Sequence, residues 1–134
     1  MWETGGPRRG LIEMAMVLVV DDEEPILSIV TEVVEEMGHT VLRAMNGREA
    51  LQVIHTTPPD LVLSDVMMPF VNGIDLCRTV KTDAALSHIV VVLMSAVSAD
   101  RGQAAGADGF VHKPFSLEEV EAAIEDGLQL TGST

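Results

Sequence analysis

VLVVDDEEP, residues 17–25, runs four apolar, mostly β-branched residues straight into four acids and a proline. A strand with one wet face would alternate; unbroken apolarity over a short run is what a strand looks like when helices cover both of its faces. The acids and Pro25 that follow suit the first turn of a helix, where negative charge meets the positive end of the dipole and the missing N–H of proline is no loss. Strand and helix in immediate succession predict a parallel α/β unit.

Working outward, the same change of texture recurs, giving strand candidates at 15–20, 40–45, 61–64, 89–94 and 109–112. Four are almost wholly apolar; the second carries Thr40 and Arg43 and reads as an edge. In the first helix Ile26, Val30, Val33, Val34 and Met37 share a face, with Gly38 just past its end. Asn46 can cap a second helix that buries Ala50, Leu51 and Ile54. A third spans about 73–81 with Ile74, Leu76, Cys77 and Val80 apolar. The last opens with Ser116 and Glu119 at capping-box spacing and turns Leu117, Val120, Ile124 and Leu128 toward the core. Between the fourth and fifth strands only 98–105 is available, with Gly102 in the middle, so the fourth helix is expected to be shortened and weak.

The chain has 134 residues, 47% of them apolar, and 8 Lys+Arg against 21 Asp+Glu, a net charge of −13. That fits one domain of the common size, about 100–150 residues, with ample core. A flexible N-terminal extension is expected at 1–13, the folded unit at 14–130 and a short tail at 131–134. The charge, with 3% aromatics and no Tyr, argues against direct nucleic-acid binding and against anionic membranes. The longest apolar run, 14–20, is far short of the about 20 residues of a membrane span. Arg8 and Arg9 faintly suggest an export signal, but Glu13 interrupts the apolar stretch that would have to follow. The single cysteine, Cys77, asks for no oxidising compartment, and a cytoplasmic location is expected. His39, His55, His88 and His112 are scattered without ligand spacing.

In an open parallel sheet, ligands bind beyond the carboxyl ends of the strands. There the first strand delivers Asp21 and Asp22, the third Asp65, the fourth Ser95 and the fifth Lys113. If strands one, three, four and five lie side by side, these groups crowd one rim. Three mutually repelling carboxylates with no His or Cys nearby suit a hard cation such as Mg²⁺. Such an ion would leave Asp65 free as a nucleophile toward phosphorus, with Ser95 and Lys113 aimed at phosphoryl oxygens. Singly, each residue has a plainer reading. The acids could be a solvated helix start, Asp65 a turn residue, Lys113 a surface charge and Phe110 part of the core.

Together, VLVVDDEEP at 17–25, LVLSDVMMPFVNG at 61–73, VLMSA at 92–96 and GADGFVHKPF at 106–115 resemble the receiver domain of two-component response regulators. The resemblance covers about 15–130. It implies an α/β, flavodoxin-like, doubly wound five-stranded parallel sheet of order 2-1-3-4-5 with helices on both faces. It also implies a phosphorylation-dependent signalling switch. Asp65 matches the phosphoacceptor, charged by a sensor histidine kinase or a histidine phosphotransfer protein. Asp22 matches the direct Mg²⁺ ligand and Asp21 the second acid, with the backbone carbonyl of Met67 completing the metal's protein ligands. Ser95 matches the hydroxyl that moves to the phosphoryl group and Lys113 the cation paired with it. Pro114 would follow a cis peptide, and Phe110 matches the aromatic switch.

Two departures stand out. Ser95 and Lys113 are 18 residues apart, about one helical turn closer than the commoner family spacing. The shortfall falls in the fourth helix, on a surface that family members use to reach partners or to dimerise on phosphorylation. Met67 and Val97, at positions that tune loss of phosphate, are both apolar and offer nothing to orient a water; packing is the plainer account. The expected activity is therefore that of a phosphoacceptor signalling domain with an unassigned downstream effector, not of an enzyme. With the chain ending soon after the last helix, a stand-alone regulator or a piece of a larger protein such as a hybrid kinase is expected. An aspartyl-phosphate hydrolase would want alternating acids in the first loop, where Asp21 and Asp22 are adjacent. A flavodoxin-like binding protein would want a Gly- or hydroxyl-rich loop there. A receiver that never takes phosphate would lack part of the residue set.

Overall fold

The structure, a computed structural model, describes residues 15–96, 101, 103 and 105–131. The apolar runs form β1 (Met16–Val20), β2 (Thr40–Ala44), β3 (Leu61–Asp65), β4 (Val90–Ser95) and β5 (Gly109–His112). The described helices are α1 (Glu24–Glu36), α2 (Gly47–Thr56), α3 (Gly73–Thr82) and α4 (Leu117–Thr131). All neighbouring strands are parallel and stand in the order β2-β1-β3-β4-β5, the doubly wound, flavodoxin-like arrangement.

Successive strand residues feed two cores. Val17, Val19, Leu61, Leu63, Val90, Val92 and Met94 pack under α1 and α4, while Leu18, Val20, Val62, Val91 and Leu93 pack under α2 and α3. Fully burying one such side chain stabilises the fold by about 1.5–3 kcal/mol. Because both faces are apolar, alternation alone does not fix the register. The polar strand ends do: sliding β1 or β3 one residue along its neighbours would carry Asp21 or Asp65 into the sheet interior, where an unpaired charge is costly.

The helices begin where their caps direct. Asn46 Oδ1 accepts from the amide of Glu49 and Asn72 Oδ1 from that of Asp75, both at 2.8 Å. Ser116 and Glu119 form a reciprocal capping box, at 3.1 Å and 2.8 Å. Several core assignments change. Leu51 in α2 and Met37 at the end of α1 are only half-buried at the edges of the two cores. In α1, Leu27 is buried and Ile26 only half-buried, because the face toward the sheet is centred on Leu27, Val30 and Val34. In α4, Leu117 is 44% exposed at the helix's first position, past the strand ends, and Gly127 lies in the core instead. A Cβ on Gly127 would come 2.6 Å from Leu61 Cδ1, so its absence lets α4 settle onto the sheet. At the strand ends, Asp65 and Ser95 belong to their strands and Met45 lies outside β2, a change of one residue in each.

The helix expected at 98–105 falls largely outside the described residues. Of its end, the amides of Ala105 and Gly106 donate to the carbonyls of Arg101 and Gln103 at 3.1 and 3.0 Å. The extension expected at 1–13, Met14 and residues 132–134 also lie outside the described residues, while Thr131, expected in the tail, is still helical. Among the described residues no helix is long and apolar enough to cross a membrane.

Register sets the functional rim. Val20 pairs with Ser64, so Asp21, the next residue, stands level with Asp65. Asp65 pairs with Met94, one residue before Ser95, and Ser95 pairs with His112, one residue before Lys113.

Candidate functional site

Asp21 is fully buried where β1 ends; its Oδ1 accepts from the amide of Glu23 at 2.9 Å, which fixes the carboxylate at the turn into α1. Asp22, beside it, is exposed. Asp65 ends β3 and is 5% exposed. Each of the three offers a carboxylate oxygen, and these oxygens lie within 4.8 Å of one another.

Lys113 completes the cluster from the far side of β4. Its Nζ lies 3.1 Å from Asp65 Oδ1 and 3.4 Å from Asp21 Oδ2. With strands about 4.8 Å apart, β5 is about 10 Å from β3, and only a long side chain spans that gap. The amide of Lys113 donates to the carbonyl of Ser95 at 2.9 Å, tying the fifth strand end to the fourth. The Lys113–Pro114 peptide is cis.

Burial is the main influence on both buried acids, and it raises them. Asp21 is held above the ordinary carboxylate value by burial and by the charge of Asp65, against the Glu23 amide and Lys113. Asp65 is raised by burial, opposed by its hydrogen bond and charge pairing with Lys113, while Asp22 adds repulsion. For Lys113 burial acts downward, but the hydrogen bond and charge of Asp65, followed by those of Asp21, outweigh it and hold the ammonium above its ordinary value. The cluster therefore carries an excess of negative charge that one ammonium does not cancel.

The remaining predicted residues sit around this cluster. Ser95 is buried at the end of β4. Phe110 is half-buried on β5, edge-on to His112 with ring centroids 5.3 Å apart, and packs against the core under α2 and α3. The Met67 side chain is 69% exposed just past Asp65. Val97 lies outside the described residues. Two supports had no distinct signal in the sequence. Ser64 Oγ donates to the carbonyl of Asp65 at 2.9 Å. Gly73 lets α3 start against the backbone of Asp65: a Cβ there would collide with the Asp65 carbonyl oxygen and come 2.9 Å from Val66 Cα, while its amide donates to the Val66 carbonyl at 2.9 Å. A glycine opening a helix reads equally well as an ordinary cap, which is why the sequence does not disclose this role.

Three close carboxylates, without His or Cys, form a donor set for a hard divalent cation, and the two raised acids are groups that such an ion would stabilise in their charged form. An ammonium within reach of the same oxygens adds a second cation for any anionic group arriving at Asp65.

A family model, the response regulator receiver domain, matches residues 17–125. The chain is 39% identical over 117 residues to a probable transcriptional regulator, ycf27, of Guillardia theta, covering 86% of this chain and 46% of that protein. It is 36% identical over 120 residues to the phosphate regulon transcriptional regulatory protein PhoB of Pseudomonas aeruginosa, covering 87% of this chain and 52% of that one. The chain thus spans about half the length of these curated relatives. Among solved structures, the chemotaxis response regulator CheY4 of Vibrio cholerae superposes with a TM-score of 0.80 at 30% identity, covering 84% of this chain and 98% of that one.

Proposed function

This chain belongs to the response regulator receiver domain family, and from that premise we propose that it is a phosphorylation-controlled switch whose acceptor is Asp65. The observation that carries the proposal is the convergence of Asp21, Asp22, Asp65 and Lys113 on one rim of the sheet. Receiver domains of this family partner with histidine kinases, and the donor is the phosphohistidine of such a kinase or of a histidine phosphotransfer protein.

A carboxylate oxygen of Asp65 attacks phosphorus, the bond from phosphorus to the imidazole nitrogen breaks, and the nitrogen keeps the electron pair and picks up a proton from solvent. The product is an acyl phosphate on Asp65. Lys113, already hydrogen-bonded to Asp65, pairs with a phosphoryl oxygen, and Ser95 donates its hydroxyl to another. Asp21, Asp22 and Asp65, with the backbone carbonyl of Met67, would hold Mg²⁺, which when bound supplies charge neutralisation to the phosphoryl oxygens. Movement of Ser95 toward the new group frees space for Phe110 to turn inward, and the altered β5 surface is what a downstream partner reads.

Met67 and Val97 are apolar at the two positions that tune loss of phosphate in this family, and neither side chain can orient a water, so the phosphorylated state is long-lived; Met67→Asn or Val97→Glu should shorten it. We take 14–130 as the switch unit and place it in the cytoplasm, where the free thiol of Cys77 is at home. Its net charge of −13 argues against direct contact with nucleic acid by this unit.

Incubation with acetyl phosphate and Mg²⁺, followed by intact mass measurement, tests the chemistry. The wild-type chain should gain the mass of one phosphoryl group and Asp65→Asn none. A wild-type chain that stays unlabelled overturns the proposal.

A further inference from the structure

Five residues beyond Asp65, the chain does something costly. Phe70 has φ +67, the only positive φ on a non-glycine residue among those described, and its side chain is 73% exposed. A left-handed backbone suits Gly or Asn; for a bulky residue it is an outlier. The ring gives the core nothing in return. Its one described partner is the guanidinium of Arg48, whose Cζ lies 5.1 Å from the ring centroid; with the ring 73% exposed, this is a cation–π contact of the weak kind.

The loop does not need the ring to hold its shape. Gly47 lets the start of α2 press against the Val71 carbonyl, where any Cβ would collide, and the Gly73 amide ties the far end back to Val66. What the strained position achieves is presentation: an exposed aromatic ring, with Met67 also exposed, in the loop that leads away from Asp65. Strain held at a surface position beside a reactive group points to use there. Any protein that brings a phosphohistidine in line with Asp65 has to cover this loop, since residues 66–72 lead directly away from the acceptor.

We propose that Phe70 is a docking residue for the protein phosphodonor, seated in an apolar socket beside the donor's phosphohistidine, with Arg48 facing an acid on the socket's edge. The inference rests on the proposed phosphotransfer to Asp65 and adds to it a determinant of which donors are accepted. Buried aromatic anchors flanked by a charge are the usual energetic centre of such contacts. Arg48 is one of only 8 basic residues on a chain of net charge −13, which makes it a distinctive mark for an acidic group on a partner.

The test compares two donors on the full chain: acetyl phosphate, which is too small to touch Phe70, and a set of autophosphorylated histidine-kinase cores, using the core that labels the wild type fastest. Phe70→Asn should slow transfer from the core about tenfold or more, leave labelling by acetyl phosphate within about twofold, and leave the thermal midpoint level or higher, because Asn accepts the left-handed backbone. Arg48→Ala should slow the core reaction in the same direction. Equal core rates for wild type and Phe70→Asn overturn the inference. So does equal slowing with both donors, which would mark the ring as structural, and so does failure of every core to outpace acetyl phosphate on the wild type. Loss of acetyl phosphate labelling in the wild type itself would instead overturn the assignment of Asp65.

Discussion

Lys113 reaches past β4 to hold its Nζ 3.1 Å from Asp65 Oδ1, joining the last strand of the sheet to the middle one through a single side chain. The contact has two consequences. It gives a buried carboxylate its one described cationic partner, and it makes any change at Asp65 felt directly at the end of β5, next to Phe110. Adding a phosphoryl group to Asp65 would shift the position that Lys113 prefers, and the strand that carries it would be biased with it.

Replacing Lys113 by Met removes that partner. Lys113 holds its proton above the ordinary value, so its contribution is fully present below its unfolded pKa, about 10.4, and is lost only as pH rises through the higher folded value. At pH 7 the variant should therefore be less stable by about 1–3 kcal/mol, less than for a fully enclosed pair because the lysine is partly exposed. Asp21 and Asp65 have raised values, so their contribution is fully present below about pH 3.9 and is lost as pH rises through their folded values. As pH falls through these raised values both acids take up protons, and the gap between variant and wild type should narrow. Urea midpoints at pH 7 and at lower pH measure it; a gap that stays constant would contradict the pairing.

Mg²⁺ should raise the thermal midpoint at neutral pH. Under simple linkage, an ion present at ten times its dissociation constant stabilises by about 1.4 kcal/mol. Protons compete for the raised carboxylates, so the shift should shrink as pH falls. Asp22 is exposed, and Asp22→Ala should leave stability in EDTA within about 0.5 kcal/mol of wild type while abolishing the Mg²⁺ shift. Retention of the full shift in Asp22→Ala would remove Asp22 from the ligand set.

The β-branched runs of β1, β3 and β4 announced a covered parallel sheet because burial on both faces leaves strand interiors apolar, apart from Ser64 next to the end of β3. The rim was legible for the complementary reason: Asp21, Asp65 and Lys113 are the first charges met at the ends of β1, β3 and β5, and parallel strands point all such residues the same way. Sequence spacing did not supply the lateral order of the strands, which came from the family resemblance. It also could not rank Leu27 above Ile26, since two adjacent apolar residues at a helix start differ only in a phase set by docking. The contacts of Gly73 with Asp65 and of Arg48 with Phe70 are tertiary, and no periodicity encodes them.

Thr31 lies in α1 at 8% exposure, and among the described residues its hydroxyl has no hydrogen-bond partner. A buried hydroxyl without a partner costs its desolvation, and Val has nearly the same shape. Thr31→Val should raise stability by about 0.5–1.5 kcal/mol in urea unfolding without altering phosphorylation. A loss of stability would show that the hydroxyl is satisfied by water.

Gly73 is where the fold and the proposed acceptor, Asp65, depend on the same missing atom. The start of α3 passes so close to Asp65 that a Cβ would overlap its carbonyl oxygen and press on Val66 Cα. Both neighbours are backbone, so neither can rotate aside, and relief requires moving α3 away from the end of β3. That movement would loosen Ile74, Leu76 and Cys77 from the core beneath it. Gly73→Ala should cost about 2–4 kcal/mol, more than the about 1 kcal/mol that alanine ordinarily gains over glycine in a helix could offset. Because the displaced backbone carries the Asp65 carboxylate, labelling by acetyl phosphate should slow even in the fraction that remains folded. Gly127→Ala is the control, since it also crowds the core but at Leu61 Cδ1, the tip of a side chain at the far end of β3. It should lower stability while leaving the labelling rate of the folded protein near wild type. Equal slowing in both variants would mean that the rate follows global stability and not the geometry at Asp65.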